Sequence, residues 1–161
     1  MIPTPKTLEA MYIMLCQLKP FNRWELPTTA EIKFLVTEEE DAYGTYEFDE
    51  EHIITISKAK CSHFETIIKT LAHEVIHMKR MKFEDWDKHN AAFKRYSKQI
   101  SAEFGFDPVN DIRVGPSGCW EWASNKPALQ KWAREYFGQR REDGDSQGDS
   151  TAVRVRTRHE G

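Results

Sequence analysis

The chain has 161 residues, of which 39% are hydrophobic and 30% are charged. This length predicts one compact domain with an additional segment, and it excludes a large multidomain assembly. The 23 basic and 26 acidic side chains leave a net charge of −3, which excludes the strong positive charge of a dedicated nucleic-acid binder.

The first part of the chain predicts one helix and three strands. Apolar residues recur at helical spacing between Leu8 and Leu18. Short β-branched and aromatic runs then predict strands over residues 30–37, 44–48 and 52–57, separated by acidic turn segments. The last two strands are close enough in sequence to form a hairpin.

Two further helices follow the strands. The helical period returns over residues 62–80 and again over residues 86–104, where Gly105 ends the second helix. Asp85 is a candidate N-cap for that second helix. The predicted fold class is therefore α+β, with an N-terminal helix, a small three-stranded sheet and two further helices.

The composition divides the chain into three parts. We expect residues 1–108 to form the compact core. Residues 109–138 contain Trp120, Trp122 and Trp132 and are predicted to pack on this core as an extension. Residues 139–161 consist mainly of charged and small side chains, which predicts a disordered tail.

The cysteines and the apolar segments indicate the cellular compartment. Cys16, Cys61 and Cys119 are widely spaced, so they supply neither a disulfide framework nor a paired-cysteine metal motif. The N-terminus lacks the basic and apolar regions of a signal peptide, and no stretch reaches the roughly 18 apolar residues of a membrane span. We expect a cytoplasmic protein without membrane association.

The residues that carry chemistry form a His-Glu-x-x-His motif at His73, Glu74 and His77. Two histidines at i and i+4 lie on one helix face and can bind the same tetrahedral Zn²⁺. Glu74 is predicted beside the metal, where a carboxylate can accept the proton of the water that attacks a carbonyl. The motif therefore predicts metal-assisted hydrolysis of amide bonds.

The surrounding helix supports this interpretation of the motif. Its apolar residues form one continuous stripe on a helical wheel, and His73 and His77 lie away from that stripe. We therefore expect a helix with two buried faces, one packed on the sheet and one facing a polar cavity. The apolar stripe consists of Phe64, Ile67, Ile68, Leu71, Val75 and Met78.

A catalytic zinc needs a third protein ligand. The candidates are His52, His63, His89, His159 or a carboxylate. His63 would lie about 15 Å along the helix axis from the metal, and His159 is in the tail. His89 is the best placed, because residues 78–85 are long enough to turn the chain and bring the first turns of the next helix over the first.

Hydrolysis of an amide also needs a donor for the tetrahedral oxyanion. Tyr96 lies seven residues after His89 on the same predicted helix face and is the candidate for this role. The alternative is a core tyrosine in the same stripe as Phe93 and Ile100.

The motif at residues 73–77 is followed by His89-Asn90-Ala91-Ala92-Phe93-Lys94. This combination resembles the SprT-like zincin metallopeptidases, in which a second helix opens with His-x-x-x-Phe-Lys. The resemblance covers residues 7–108 and implies a minimal zincin-like core that cleaves peptide bonds in a protein or peptide substrate. It also implies Zn²⁺ at His73, His77 and His89 with Glu74 as the catalytic base.

The resemblance raises the question of a DNA partner. Members related to Spartan degrade proteins crosslinked to DNA, and similar small domains occur in phage genomes. This chain lacks the paired-cysteine zinc ribbon that bacterial members commonly carry, so we expect only weak DNA association through a basic helix surface. That surface consists of Lys79, Arg80, Lys82, Lys94, Arg95 and Lys98.

The acidic side chains are concentrated in one part of the chain. The segment between residues 25 and 51 is strongly acidic, which is typical of solvated strand edges and would also favour basic stretches in a substrate.

A non-enzymatic, zinc-stabilised structural or adaptor protein is the alternative function. The presence of Glu74 favours the enzyme, because a structural zinc site has no use for a base.

Overall fold

The computed structural model describes residues 2–108 and residue 135. The predicted extension and tail, at residues 109–138 and 139–161, lie outside the described residues apart from residue 135. The described elements confirm an α+β fold with a three-stranded sheet and three helices. In chain order they are α1 (Pro5–Cys16), β1 (Ile32–Thr37), β2 (Gly44–Phe48), β3 (His52–Ser57), α2 (Phe64–Lys79) and α3 (Ala91–Phe104).

The sheet has the strand order β1-β3-β2. Strands β2 and β3 form the predicted antiparallel hairpin, with Tyr46 opposite Ile54. Strand β1 pairs with β3 in parallel, with Phe34 opposite the same Ile54. Strand β2 is consequently an edge strand of this sheet.

Helices α1 and α2 pack on one face of the sheet. Tyr12 of α1 lies against Phe34 of β1, with ring centroids 5.6 Å apart. Strand β2 meets α2 at Gly44, where an added Cβ would come within 2.8 Å of Thr70 Cγ2 and 2.9 Å of the Thr55 carbonyl oxygen. This close approach brings the edge strand alongside α2 about one helical turn before His73.

Helix α2 is buried on both sides, as predicted. Every residue from Thr66 to Met78 is buried, including the polar side chains of His73, Glu74 and His77. The apolar stripe packs in the core, so the histidines and the glutamate face a second, interior side of the fold.

Helix α3 begins later than predicted, and Asp85 is not its N-cap. Asn90 is the N-cap, and its side-chain oxygen accepts the backbone N–H of Phe93 at 3.1 Å. The Asp85 carboxylate accepts hydrogen bonds from Arg80 and Asn90 instead. His89 therefore lies just before the helix rather than in its first turns.

The end of α3 agrees with the sequence prediction. Gly105 ends α3 in the left-handed conformation, with φ 84°. Cys16 and Cys61 are free thiols. In the described part of the chain, no helix is long and apolar enough to cross a membrane.

Candidate metal centre

Three histidines from two segments converge beside α2. The ring nitrogens that His73, His77 and His89 can offer to a metal all lie within 4.8 Å of one another. The Nε2 atoms of His77 and His89 are 3.2 Å apart. Zn–N bonds of about 2.0–2.1 Å in tetrahedral geometry place two ligand nitrogens about 3.3 Å apart, so this spacing fits a shared metal ion.

Two backbone carbonyl groups orient the histidines of α2. The Nδ1 atom of His73 lies 2.8 Å from the carbonyl oxygen of Pro108, and that of His77 lies 2.9 Å from the carbonyl oxygen of Trp86. Since a carbonyl oxygen only accepts, each Nδ1 donates its hydrogen and each Nε2 keeps its lone pair for a metal. The donor set therefore fits a metal that prefers nitrogen ligands.

Burial keeps the imidazole of His73 neutral. Desolvation, as the largest cause, and the neighbouring His77 together lower the pKa of His73 to about 3. A metal binds the neutral imidazole, so this side chain needs no deprotonation at neutral pH before it can act as a ligand.

Phe93 forms an apolar wall against all three histidines. Its ring centroid lies 5.1 Å from His73, 4.8 Å from His77 and 4.7 Å from His89. The ring is fully buried in the first turn of α3. It separates the imidazoles from water on that side, which explains in physical terms why a phenylalanine follows His89 at this spacing.

Glu74 lies one residue after His73 and is only 2% exposed. Its negative charge is among the causes that raise the pKa of the Cys61 thiol, after burial as the largest cause. The carboxylate is therefore held in the interior, in the residue that follows the first histidine of the cluster.

A comparison with protein families agrees with this geometry. The model of the SprT-like family matches residues 15–113. The chain belongs to the SprT-like family. The match includes all three strands and the segments that carry the three histidines. No curated protein and no solved structure matches the chain.

The loop between α2 and α3 of this SprT-like chain is held by a polar clasp, which we define as Arg80, Asp85 and Asn90. Arg80 Nη2 donates to Asp85 Oδ1 at 3.1 Å, and Asn90 Nδ2 donates to Asp85 Oδ2 at 2.6 Å. Arg80 is only 6% exposed. Because Trp86 and His89 lie in the same loop, the clasp fixes the segment that supplies the carbonyl partner of His77 and the third histidine.

Sequence reasoning missed Trp86 and the clasp as parts of this site. The carbonyl groups of Trp86 and Pro108 leave no side-chain signature, since any residue can present a backbone oxygen. The local sequence predicts Asp85 as a helix cap and Arg80 as part of a basic surface. The signal that could have identified them is the short loop itself, which must be fixed if His89 is to reach α2.

Tyr96 of α3 contacts Trp24. Its ring packs edge-on against Trp24, with centroids 4.9 Å apart. The Trp24 indole N–H donates to Gln99 at 3.0 Å, one turn further along the same helix. This contact is typical of the core tyrosine considered as the alternative, and the oxyanion role of Tyr96 stays a prediction.

Proposed function

We propose that this SprT-like chain is a zinc-dependent metalloendopeptidase with a zincin-like core that acts on protein or peptide substrates. One observation carries the proposal: three imidazoles converge on one point, and the buried Glu74 directly follows the first of them in the same helix. Within the described residues, this metal-binding group comprises His73, His77 and His89. A catalytic zinc has three protein ligands and an open position, whereas a structural zinc has four.

The chemistry divides between the metal and Glu74. When bound by the three histidines, Zn²⁺ would act as a Lewis acid that polarises the substrate carbonyl and lowers the pKa of water. Glu74 accepts one proton from the attacking water as its oxygen bonds to the carbonyl carbon. Glu74 then delivers this proton to the amide nitrogen as the C–N bond breaks, so one water is consumed and an acid and an amine are formed.

The outer edge of β2, with which no other described strand pairs, supports binding of an extended substrate. The backbone N–H of Ser57 donates to the carbonyl of Tyr43 at 2.9 Å, just before β2 begins. Because paired and unpaired residues alternate in an antiparallel ladder, Gly44, Tyr46 and Phe48 direct their backbone groups away from β3. A peptide can add to these groups as a further strand, beside the helix that carries the histidines.

Two substitutions test the proposal. Glu74→Gln keeps the three histidines, so we expect zinc content to stay at the wild-type level while hydrolysis of a reduced, alkylated protein falls by about 10²-fold or more. His89→Ala removes one ligand, and we expect zinc content and hydrolysis to fall together. Metal analysis and gel-based digestion of the three full-length proteins measure both effects.

Each contrary result has a definite meaning. Equal hydrolysis by wild type and Glu74→Gln would show that Glu74 is not the base. A wild-type protein that binds zinc and cleaves no unfolded protein would favour the structural or adaptor role instead. Removal of zinc with a chelator and its return should abolish and restore hydrolysis.

A further inference from the structure

A row of aromatic rings leads from the metal centre to the end of β2. The ring of Trp86 lies 6.1 Å from that of His77 and 5.5 Å from that of Tyr46. Tyr46 stacks on His52 at 5.9 Å, and His52 meets Phe48 at 5.0 Å. We define Trp86, Tyr46, His52 and Phe48 as the aromatic shelf.

The inner part of the shelf is held in one arrangement. Tyr46 is 2% exposed, and its hydroxyl lies 2.7 Å from Nδ1 of His52. Burial raises the pKa of Tyr46 and lowers the pKa of His52. Both groups are therefore uncharged at neutral pH, and the hydrogen bond between them holds the two rings in place before any ligand arrives.

The outer end of the shelf is open to solvent. Phe48 is 49% exposed at the last position of β2. A single exposed apolar side chain is ordinary on a protein surface. Phe48 differs because its ring continues the shelf that begins at His77, and because its backbone lies on the outer edge of β2.

The spacing of the shelf matches that of an extended peptide. Tyr46 and Phe48 lie on the same face of β2, about 6.8 Å apart along the strand. Side chains two residues apart in a bound, extended substrate have the same separation. When one substrate side chain packs on Trp86, at the level of Tyr46 along the strand, the side chain two residues away lies over Phe48 and His52.

We propose that Phe48 and His52 form a specificity subsite for a large apolar or aromatic side chain of the substrate. The bound side chain is two residues from the one that packs on Trp86. Offset or edge-on contact between rings favours an aromatic side chain over a small polar one. This inference rests on the proposed function, because it assumes that a peptide pairs with β2.

Cleavage of two matched peptides tests the subsite. Both are blocked peptides of the same Gly, Ser and Lys background, and they differ only in Phe or Ser at one position. For the zinc-loaded wild type we expect kcat/KM to be about tenfold higher for the Phe peptide. Phe48→Ala should remove this preference, so that the ratio of the two kcat/KM values falls to about one, while Phe48→Leu retains most of it.

Ile13→Ala is the matched control. Ile13 is exposed to a similar degree but lies on α1, away from the shelf. We expect this variant to keep the wild-type preference and rate. The same preference for the Phe peptide in wild type and Phe48→Ala would overturn the proposal.

Binding to Glu74→Gln separates the subsite from the proposed function. Zinc-loaded Glu74→Gln should bind the Phe peptide about tenfold more tightly than the Ser peptide. The double variant that also carries Phe48→Ala should bind the two peptides with equal affinity. Discrimination in binding without any hydrolysis by wild type would support the subsite and overturn the proposed function. Hydrolysis by wild type without discrimination in binding would overturn the subsite alone.

Discussion

Two backbone oxygens determine how His73 and His77 can bind a metal. Their Nδ1 hydrogens are donated to Pro108 and Trp86, which leaves both Nε2 atoms directed toward His89. The sequence predicts that His73 and His77 lie on one helix face, because they are four residues apart. It cannot predict the oxygens, since Pro108 is 35 residues from His73 and its role depends on tertiary packing.

The lowered pKa of His52 predicts how the stability of the metal-free protein changes with pH. Burial is the largest cause that lowers the pKa of His52 below its ordinary value, while the charge of Glu31 acts in the opposite direction. Below the unfolded pKa of about 6.5 the unfolded chain binds a proton that the folded chain does not, so the free energy of unfolding falls as the pH falls.

The His52→Gln variant isolates this contribution. Glutamine can accept the Tyr46 hydrogen bond, and it does not titrate. Urea unfolding at pH 7.5 and pH 5.5, with zinc removed, should give a smaller loss of stability for the variant than for wild type. His73 contributes equally to both proteins, and an identical loss in the two would contradict the prediction.

At the scale of elements, the clasp between α2 and α3 predicts the effect of Asp85→Ala. This substitution removes the acceptor shared by Arg80 and Asn90 and loosens the loop that carries Trp86 and His89. We expect zinc affinity to fall by about tenfold or more, as for other residues that orient metal ligands. Competition with a chromophoric chelator measures this affinity.

Asp87→Ala is the control for this loop. Asp87 is an exposed carboxylate two residues further along, so the same charge is removed without loss of the clasp. Its zinc affinity should match that of wild type. Circular dichroism of the metal-free variants checks that both fold, and equal affinities for the two variants would refute a role of the clasp in holding the ligands.

The start of α3 shows where local sequence stops being sufficient. Asp85 and Asn90 are both good N-cap residues, and nothing local selects between them. Arg80 decides which of the two caps the helix, because it binds the Asp85 carboxylate and Asn90 then acts as the N-cap. Similarly, the short β-branched and aromatic runs predict the three strands, whereas the β1-β3-β2 order depends on the crossover between β1 and the hairpin.

At the scale of the whole molecule, part of the predicted basic surface is used inside the protein. The Arg80 guanidinium is buried in the clasp, and Lys79 Nζ donates to the Trp24 carbonyl at 2.7 Å. The exposed remainder includes Lys94, Arg95 and Lys98, which follow one another along α3. The region that can meet phosphate groups is therefore smaller than the sequence indicates.

We propose that α3 gives the protein a weak, salt-dependent affinity for DNA. Neutralising Lys94, Arg95 and Lys98 to glutamine should weaken binding to a labelled duplex and lower the slope of log K against log salt by about 2–3. Fluorescence anisotropy between 50 and 200 mM salt, taken as about the range over which such contacts are lost, measures the slope. Lys6→Gln with Lys33→Gln is the control, since these exposed cations lie on α1 and β1. If wild type does not bind DNA at the lower salt, the DNA-binding role is excluded while the peptidase proposal stands, because the three cations lie outside the histidine cluster.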